Sequence, residues 1–295
     1  MPISDDHVEQ LVEEGRTLVP DFLDAATLAE CGRAVAAYFP TGEEWAAAPD
    51  KYRGVRKSAG FPYQQDVLNE VSTHPDLQSF VERVLGRDDV RLGDSLLQAK
   101  YGPALGPVKD QRLHNDAWGR NTLVHPPRRP EFQRVFAIVY YTDVEVDLAP
   151  TYAVPAKLTR DVPLLTRSGE AAYDRADYPE LYEQEQPVVA SAGSVLLFSG
   201  HTVHRGSAVR RPTGHRFAHF LNFHSARSTW LDKQGWPGSP AAPNGPAVRR
   251  LVESASPHRR ELLGFPAVDS DYWTEEALAG TAALYPGLDL APYRR

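Results

Sequence analysis

The hydrophobic pattern of the chain changes from helical to extended near residue 90. Upstream, apolar residues recur at helical spacing in 5–14, 24–39 and 76–85, with a short extended piece after the first stretch. Gly15 follows the first stretch, where helices commonly end, and Asp24 precedes the second as a plausible N-cap. We therefore expect the first ninety residues to form a helical support.

Downstream, the pattern consists of short runs rich in β-branched and aromatic residues, separated by glycine and proline turns. The runs are VRLGDSLLQAKYG, QRVFAIVYYTDV, TYAVPA, GSVLLFSG and HRFAHFLNFHSA. Closely spaced strands behind a helical segment are typical of a sandwich or jelly roll buttressed by helices. The predicted fold class is thus mainly β with flanking helices.

The end of the chain returns to helical spacing, with a break at Pro257. A Pro/Gly-rich stretch at 235–246 has the composition of a linker, but few residues follow it. We predict one domain over 1–295. Its parts are a helical N-terminal support (1–90), a β core (91–230) and a helical C-terminal segment (246–295).

Composition excludes several classes of protein. An apolar share of 42% suits a globular core, and the single cysteine, Cys31, excludes an internal disulfide framework and predicts a free buried thiol. The net charge of −7 argues against general nucleic-acid binding. The acidic start does not resemble a targeting peptide, and no apolar run is long enough to span a membrane. These observations predict a cytoplasmic protein with no nucleic-acid or membrane partner. We also expect a monomer or homodimer.

His114 and Asp116 stand at positions i and i+2 in the stretch QRLHNDAWG. In an extended strand both side chains lie on one face, about 7 Å apart along the chain. With a second histidine they would form the 2-His-1-carboxylate triad of non-haem Fe(II) enzymes. A chance pair, or an aspartate that only orients its histidine, is the alternative.

The stretch GHTVHRGSAVRRPTGHR offers the missing partner. His201 and His204 are three residues apart and point to opposite faces of an extended chain, so at most one of them joins the metal. In the following strand His219 lies on the wrong face. Arg216 lies on the inward face, where a guanidinium requires an anionic partner such as the far carboxylate of a 2-oxo-dicarboxylic acid. A surface ion pair is the alternative, and Arg210 and Arg211 fit that role better.

Taken jointly, several segments make the chain resemble the bacterial branch of the phytanoyl-CoA dioxygenase family of Fe(II)/2-oxoglutarate oxygenases. The segments are LLQAKYG, DQRLHNDAWGRNTLVHPP, YYTDVEVDLAPTYAVPAKL, HRGS, and the closing SPHRRELLGFP and YPGLDLAPY. The resemblance covers most of residues 10–295. It implies a double-stranded β-helix, a jelly roll of the cupin type, with Fe(II), 2-oxoglutarate and O2 as cofactor and co-substrates.

The resemblance also implies roles for individual residues. The metal ligands are His114, Asp116 and His204, with His204 preferred to His201 because HRGS matches the distal histidine of the family. Ser207 and Arg216 are expected to hold the 2-oxoglutarate carboxylate. Further contacts are expected from Gln98 or Lys100, on the strand before the first ligands.

The expected reaction is hydroxylation of an unactivated C–H bond in a small molecule, a specialised metabolite or an acyl compound, with release of succinate and CO2. Candidate substrate-side residues are Trp118, Tyr140, Tyr141 and Tyr152, although such aromatics are more often core. The charged loop 153–187 is either a lid or a solvated insertion. The alternatives are a cupin-like metal enzyme that uses no keto acid, and a non-catalytic jelly-roll binding protein.

Overall fold

The structure is a computed structural model that describes residues 3–117, 129–166, 171–228 and 245–294. Its helices are α1 (Asp5–Glu14), α2 (Ala25–Ala36), α3 (Gly42–Ala47), α4 (Asp66–Ser72), α5 (Pro75–Leu85), α6 (Pro179–Glu183), α7 (Gly245–Ser254), α8 (Pro257–Leu262) and α9 (Glu275–Leu284). Its strands are β1 (Arg16–Val19), β2 (Ser58–Gly60), β3 (Val90–Tyr101), β4 (Leu113–His114), β5 (Val135–Tyr140), β6 (Thr151–Ala153), β7 (Ala172–Tyr173), β8 (Gln186–Val188), β9 (Val195–Ser199), β10 (His204–Gly206) and β11 (His215–Ser225).

The strands form two antiparallel sheets. The six-stranded sheet has the order β1-β9-β5-β11-β3-β2, and the five-stranded sheet has the order β7-β4-β10-β6-β8. Two such sheets with helices outside them confirm the predicted class, mainly β with flanking helices in a jelly roll.

Short-range signals place the N-terminal helices as predicted. Gly15 ends α1 with φ of 80°, a left-handed conformation that favours glycine, and Asp24 caps α2 by accepting a 2.8 Å hydrogen bond from the Thr27 amide. The pattern did not predict α3, β2 or α4, which are all seven residues or shorter. In such short elements too few positions repeat to show a period.

The six-stranded sheet has two differently covered faces. One face packs against the N-terminal helices in the largest apolar cluster, which joins residues such as Leu68 and Phe80 to Leu97 and Leu221. This cluster also contains Cys31, which is fully buried with a pKa raised to about 12 by desolvation, as expected for an unreactive thiol. The other face looks toward the five-stranded sheet.

Two of the C-terminal helices, α7 and α8, contribute to the largest apolar cluster. Leu251 of α7 and Leu262 of α8 belong to the apolar cluster shared with the N-terminal helices. Arg260 is buried beneath them, where its Nε donates to the Val252 carbonyl and its Nη1 to the Tyr293 hydroxyl. Among the described residues, no helix is long and apolar enough to cross a membrane.

Candidate metal centre

Pairing of β4 with β10 brings the two histidines of the predicted triad together. His114 and His204 are direct partners in this antiparallel ladder, and their ring centroids are 4.5 Å apart. Asp116 follows in the next turn, with its carboxylate oxygens 3.9 Å from His114 Nε2 and 3.5 Å from His204 Nε2. One ligand atom from each of the three side chains lies within 4.8 Å of the others, as a shared metal ion requires.

Backbone carbonyls orient both imidazoles for metal binding. His114 Nδ1 lies 2.9 Å from the Arg112 carbonyl oxygen, and His204 Nδ1 lies 2.9 Å from the Thr202 carbonyl oxygen. Because a carbonyl oxygen can only accept, each Nδ1 carries the hydrogen and each Nε2 keeps its lone pair toward Asp116. Burial lowers the pKa of His204 to about 4, against the opposing effect of the Asp116 carboxylate. The ring is therefore neutral at physiological pH, the form that binds metals.

The other histidines near His204 in the sequence lie outside the triad. His201 lines a separate surface cavity beside α1, together with Thr202. His215 accepts a hydrogen bond from the Gly42 amide, and His219 is fully buried on the helix-facing side of β11. The predicted exclusion of His201 and His219 from the triad therefore agrees with their positions.

A cavity of about 280 Å³ contains the triad and continues between the two sheets. Along β3, every second residue from Asp94 to Lys100 lines it. The β3–β11 ladder sets these residues in rows, with Lys100 opposite Arg216, Gln98 opposite Ala218, Leu96 opposite Phe220 and Asp94 opposite Asn222. The predicted inward face of β11 is confirmed for Arg216.

Arg216 is a buried cation with unmet bonding capacity. It is 1% exposed, and its Nη1 donates to the Ala149 carbonyl oxygen at 2.6 Å. Among the described residues, its Nε has no hydrogen-bond partner and no acidic side chain forms an ion pair with it. Burial lowers its pKa, which expresses the cost of holding this charge away from water. An anion in the cavity would offset that cost.

Lys100 adds a second cation at the same end. Its Nζ donates to the Ser207 carbonyl oxygen at 2.8 Å. Burial, and then the charge of Arg216, lower the pKa of Lys100 to about 7. Gly206 leaves room for this ammonium group, because a Cβ at that position would lie 2.8 Å from Lys100 Nζ.

Gln98 and Lys100 reach the cavity as expected, but Ser207 does not. The Ser207 hydroxyl donates to the Pro150 carbonyl oxygen at 2.7 Å, and the side chain faces a surface groove on the other side of the sheet. A residue adjacent to Gly206 in a strand must point to the opposite face. This corrects the expectation that the Ser207 side chain contacts the co-substrate.

Of the aromatic residues expected on the substrate side, Tyr141 and Tyr152 lie elsewhere. Tyr141 lies in the helix-facing core, with its hydroxyl 3.0 Å from His219 Nδ1. Tyr152 stacks on the Arg205 guanidinium at 4.3 Å and lines the same surface groove as Ser207. Tyr140 is fully buried, with its hydroxyl 3.5 Å from Thr151 Oγ1, and Trp118 lies outside the described residues.

Part of 153–187 belongs to the five-stranded sheet. Strand β7 pairs with β4 and sets Tyr173 opposite Leu113, next to the ligand His114. Tyr173 is fully buried, and its hydroxyl donates to the Pro163 carbonyl oxygen. Strand β7 of this segment therefore supports the metal-ligand strand, a role that was not expected from the sequence.

Sequence reasoning missed Gln111, Asp94 and Asn222, which line the cavity. For Asp94 the signal was available, because it continues the alternation of Gln98 and Lys100 along one face of β3. Gln111 lies outside any strand, where spacing carries no information about direction.

Comparisons with known proteins point to one family and one fold. The family model described as phytanoyl-CoA dioxygenase matches residues 11–216. The chain resembles the solved structure of the epimerase SnoN in complex with Fe3+, alpha ketoglutarate and nogalamycin RO, with a TM-score of 0.57 at 18% identity, covering 81% of this chain and 92% of that chain. It also resembles the non-heme alpha ketoglutarate dependent carbocyclase SnoK from nogalamycin biosynthesis, with a TM-score of 0.56 at 17% identity, covering 80% and 94%. A search of curated protein sequences gave no match.

Proposed function

We propose that this chain, which belongs to the phytanoyl-CoA dioxygenase family, is an Fe(II)/2-oxoglutarate-dependent oxygenase acting on a small molecule. The cofactors of the family are Fe(II), 2-oxoglutarate and O2. One observation carries the proposal. A His-Asp-His cluster and a buried guanidinium without an acidic partner among the described residues share a single cavity. The cluster suits the metal, and the guanidinium suits a dicarboxylate co-substrate.

In this proposal His114, Asp116 and His204 hold the iron. Three protein ligands on one side leave positions free for a keto acid and O2. When bound, the iron supplies the oxidising chemistry by which 2-oxoglutarate and O2 yield succinate, CO2 and an oxidised substrate. The Arg112 and Thr202 carbonyls fix both rings by accepting from Nδ1–H.

Arg216, Lys100 and Gln98 form the proposed binding site for the far carboxylate of 2-oxoglutarate. Gly206, beside Lys100, is two residues beyond the ligand His204 on β10, a step of roughly 7 Å along a strand. A short linear dicarboxylate can thus reach from the metal to the two cations. Arg216 offers the planar pair of donors that a carboxylate accepts best.

We propose that the reaction is hydroxylation of an unactivated C–H bond, carried out by one catalytic domain over 1–295. The similar structures include an epimerase and a carbocyclase, so the mass of the product must identify the reaction of this chain. Mass spectrometry distinguishes the three results. Hydroxylation adds one oxygen atom, ring closure removes two hydrogens, and epimerisation leaves the mass unchanged.

Anaerobic titration of the purified protein with Fe(II) and 2-oxoglutarate tests the site directly. We expect a weak visible charge-transfer band from the chelated keto acid in the wild type, and its loss in His114→Ala and His204→Ala. His201→Ala is the matched control, because His201 is three residues from His204 but lines another cavity. The band should persist in that variant.

Absence of a band in the wild type, or an intact band in His204→Ala, would contradict the proposal. A cupin-like enzyme that uses no keto acid would bind metal without the band. A non-catalytic binding protein would retain no iron when purified without chelators.

A further inference from the structure

The cavity has a second polar end, remote from Lys100 and Arg216. Asp94 lies six residues before Lys100 on the same face of β3, roughly 20 Å away along the strand. The side chains lining the floor between the two ends include the apolar Leu96 and Phe220. The cavity therefore has a cationic end, an apolar middle and an end that carries a carboxylate.

Asn222 accompanies Asp94 at this end. The two are direct partners across the β3–β11 ladder, and both line the cavity. Asn222 is 8% exposed, and its Oδ1 has no hydrogen-bond partner in the part of the chain that the structure describes. A buried polar side chain without partners costs stability, so its retention here points to a ligand.

Gly93 makes room for this amide. A Cβ at position 93 would lie 2.2 Å from Asn222 Oδ1, closer than any side chain tolerates. The ladder also shifts register between Asn222 and Phe223, which leaves Gly93 unpaired opposite them. The local backbone is thus arranged to hold an asparagine at the cavity wall.

The surrounding charges leave the Asp94 carboxylate available to accept hydrogen bonds. Its Oδ1 accepts from the adjacent Ser95 amide, and no cation in the described ranges forms an ion pair with it. The charge of Arg134 lowers the pKa of Asp94, but the Arg134 guanidinium donates to the Asp116 carbonyl oxygen and packs on the Phe136 ring. Asp94 is exposed, so a ligand can reach its carboxylate oxygens.

The Asp94 end of the cavity lies across the six-stranded sheet from the metal centre. Asp94, Asn222, Phe136 and Phe198 form one row over neighbouring strands, and the His204 ring packs on Phe198 with centroids 4.7 Å apart. Three strand spacings separate Phe198 from Asp94, roughly 14 Å. A substrate whose polar group binds at Asp94 can therefore extend its carbon skeleton toward the iron.

We propose that Asp94 and Asn222 bind a hydroxyl or ammonium group of the organic substrate. The inference rests on the proposed function, because it places the substrate in the cavity that also holds the co-substrate. We therefore expect the substrate to be a neutral or cationic molecule with an apolar body and a hydrogen-bond-donating group. An acyl-CoA thioester is disfavoured, because the Asp94 carboxylate would repel its phosphates at this end.

The test uses three probes that share an octyl tail and differ in the charge of the head, and one acyl-CoA. Octyl glucosaminide carries an ammonium group, octyl glucoside carries only hydroxyls and octyl glucuronide carries a carboxylate; palmitoyl-CoA is the fourth probe. Their dissociation constants are measured by calorimetry on the anaerobic complex of the protein with Fe(II) and 2-oxoglutarate. The variants are Asp94→Asn, Asn222→Ala and, as a control for the loss of one exposed carboxylate, Asp6→Asn.

We expect the wild type to bind the glucosaminide and the glucoside more tightly than the glucuronide and palmitoyl-CoA. Asp94→Asn should weaken glucosaminide binding by about tenfold, the effect of losing one charged hydrogen bond, and should relieve the discrimination against the glucuronide. Asn222→Ala should weaken both favoured probes, and Asp6→Asn should change nothing. A larger loss for the glucosaminide than for the glucoside in Asp94→Asn identifies an ammonium rather than a hydroxyl as the preferred group.

Three outcomes would overturn the inference: no binding of either favoured probe, tighter binding of palmitoyl-CoA or the glucuronide, or unchanged selectivity in Asp94→Asn. The charge-transfer band is recorded in the same samples. A wild type without the band refutes the proposed function itself. A wild type with the band but without this selectivity refutes only the role of Asp94 and Asn222.

Discussion

Lys100 and Arg216 are direct partners in the β3–β11 ladder, so an ammonium and a guanidinium group lie side by side at one end of the cavity. Burial lowers the pKa of both groups, and the charge of Arg216 lowers the pKa of Lys100 further, so both charged forms are held at a cost. Since no described acid pairs with Arg216, the arrangement is most stable with an anion bound. The first three predictions follow from this pair.

Arg216→Ala should weaken 2-oxoglutarate binding by about 100-fold, the effect of removing a buried charged partner, while Fe(II) still binds. Arg216→Lys should recover part of the affinity, because it restores the charge but not the planar pair of donors. The 2-oxoglutarate affinities of both variants are measured by titration of the charge-transfer band. Arg210→Ala is the control, since Arg210 is exposed and pairs with Asp110. Equal affinity in the wild type and Arg216→Ala would refute the assignment.

The affinity for 2-oxoglutarate should depend on pH through Lys100. The pKa of Lys100 is lowered to about 7, so above pH 7 the free protein loses the ammonium charge that a bound carboxylate would stabilise. Affinity should be level below pH 7 and fall by up to about tenfold per pH unit above it. Lys100→Met should bind more weakly and lose this dependence. An unchanged pH profile in Lys100→Met would show that another group is responsible.

Gly206→Ala should impair co-substrate binding without unfolding the protein. The added Cβ would lie 2.7 Å from Gln111 Oε1 and 2.8 Å from Lys100 Nζ, both at the ends of flexible side chains that can move aside. We expect the free energy of unfolding to change by less than about 1 kcal/mol and 2-oxoglutarate to bind about tenfold more weakly.

Gly32→Ala is the matched control, because a Cβ there meets nothing within 4 Å. That change should stabilise α2 slightly, since alanine is the better helix former. Urea denaturation and band titration of both variants check the prediction. Wild-type affinity in Gly206→Ala would show that the position of Lys100 is not critical.

His219 should make the protein less stable in acid. It is fully buried between Tyr63, Ser95 and Tyr141, and burial lowers its pKa from 6.5 to about 3. Between these values the unfolded chain binds a proton that the folded chain does not. Stability therefore falls as the pH falls from about 6.5 to about 3, by up to about 1.4 kcal/mol per pH unit.

His219→Gln should reduce this slope, as measured by urea denaturation of the metal-free protein at pH 7 and pH 5. His258→Gln is the control, because His258 is exposed beside Glu82. An equal loss of stability between the two pH values in the wild type and His219→Gln would show that His219 does not control the acid response.

Local patterns determined much of the fold. The left-handed turn at Gly15 and the cap at Asp24 follow from a few adjacent residues, and the alternation along β11 placed Arg216 on the inner face. These features were predictable because helix caps and strand parity depend on neighbours in sequence. The resemblance supplied the choice of His204 over His201, which spacing alone left open.

Tertiary structure decided what depends on pairing between distant segments. The register of β10 against β4 sets His204 beside His114, and the register of β11 against β3 sets Asn222 beside Asp94. It also turned Ser207 and Tyr141 away from the cavity and made part of 153–187 a strand supporting His114. Sequence spacing fixes the face of a strand on which a side chain lies. Which strand pairs with it, and in what register, is set by long-range packing that no local pattern contains.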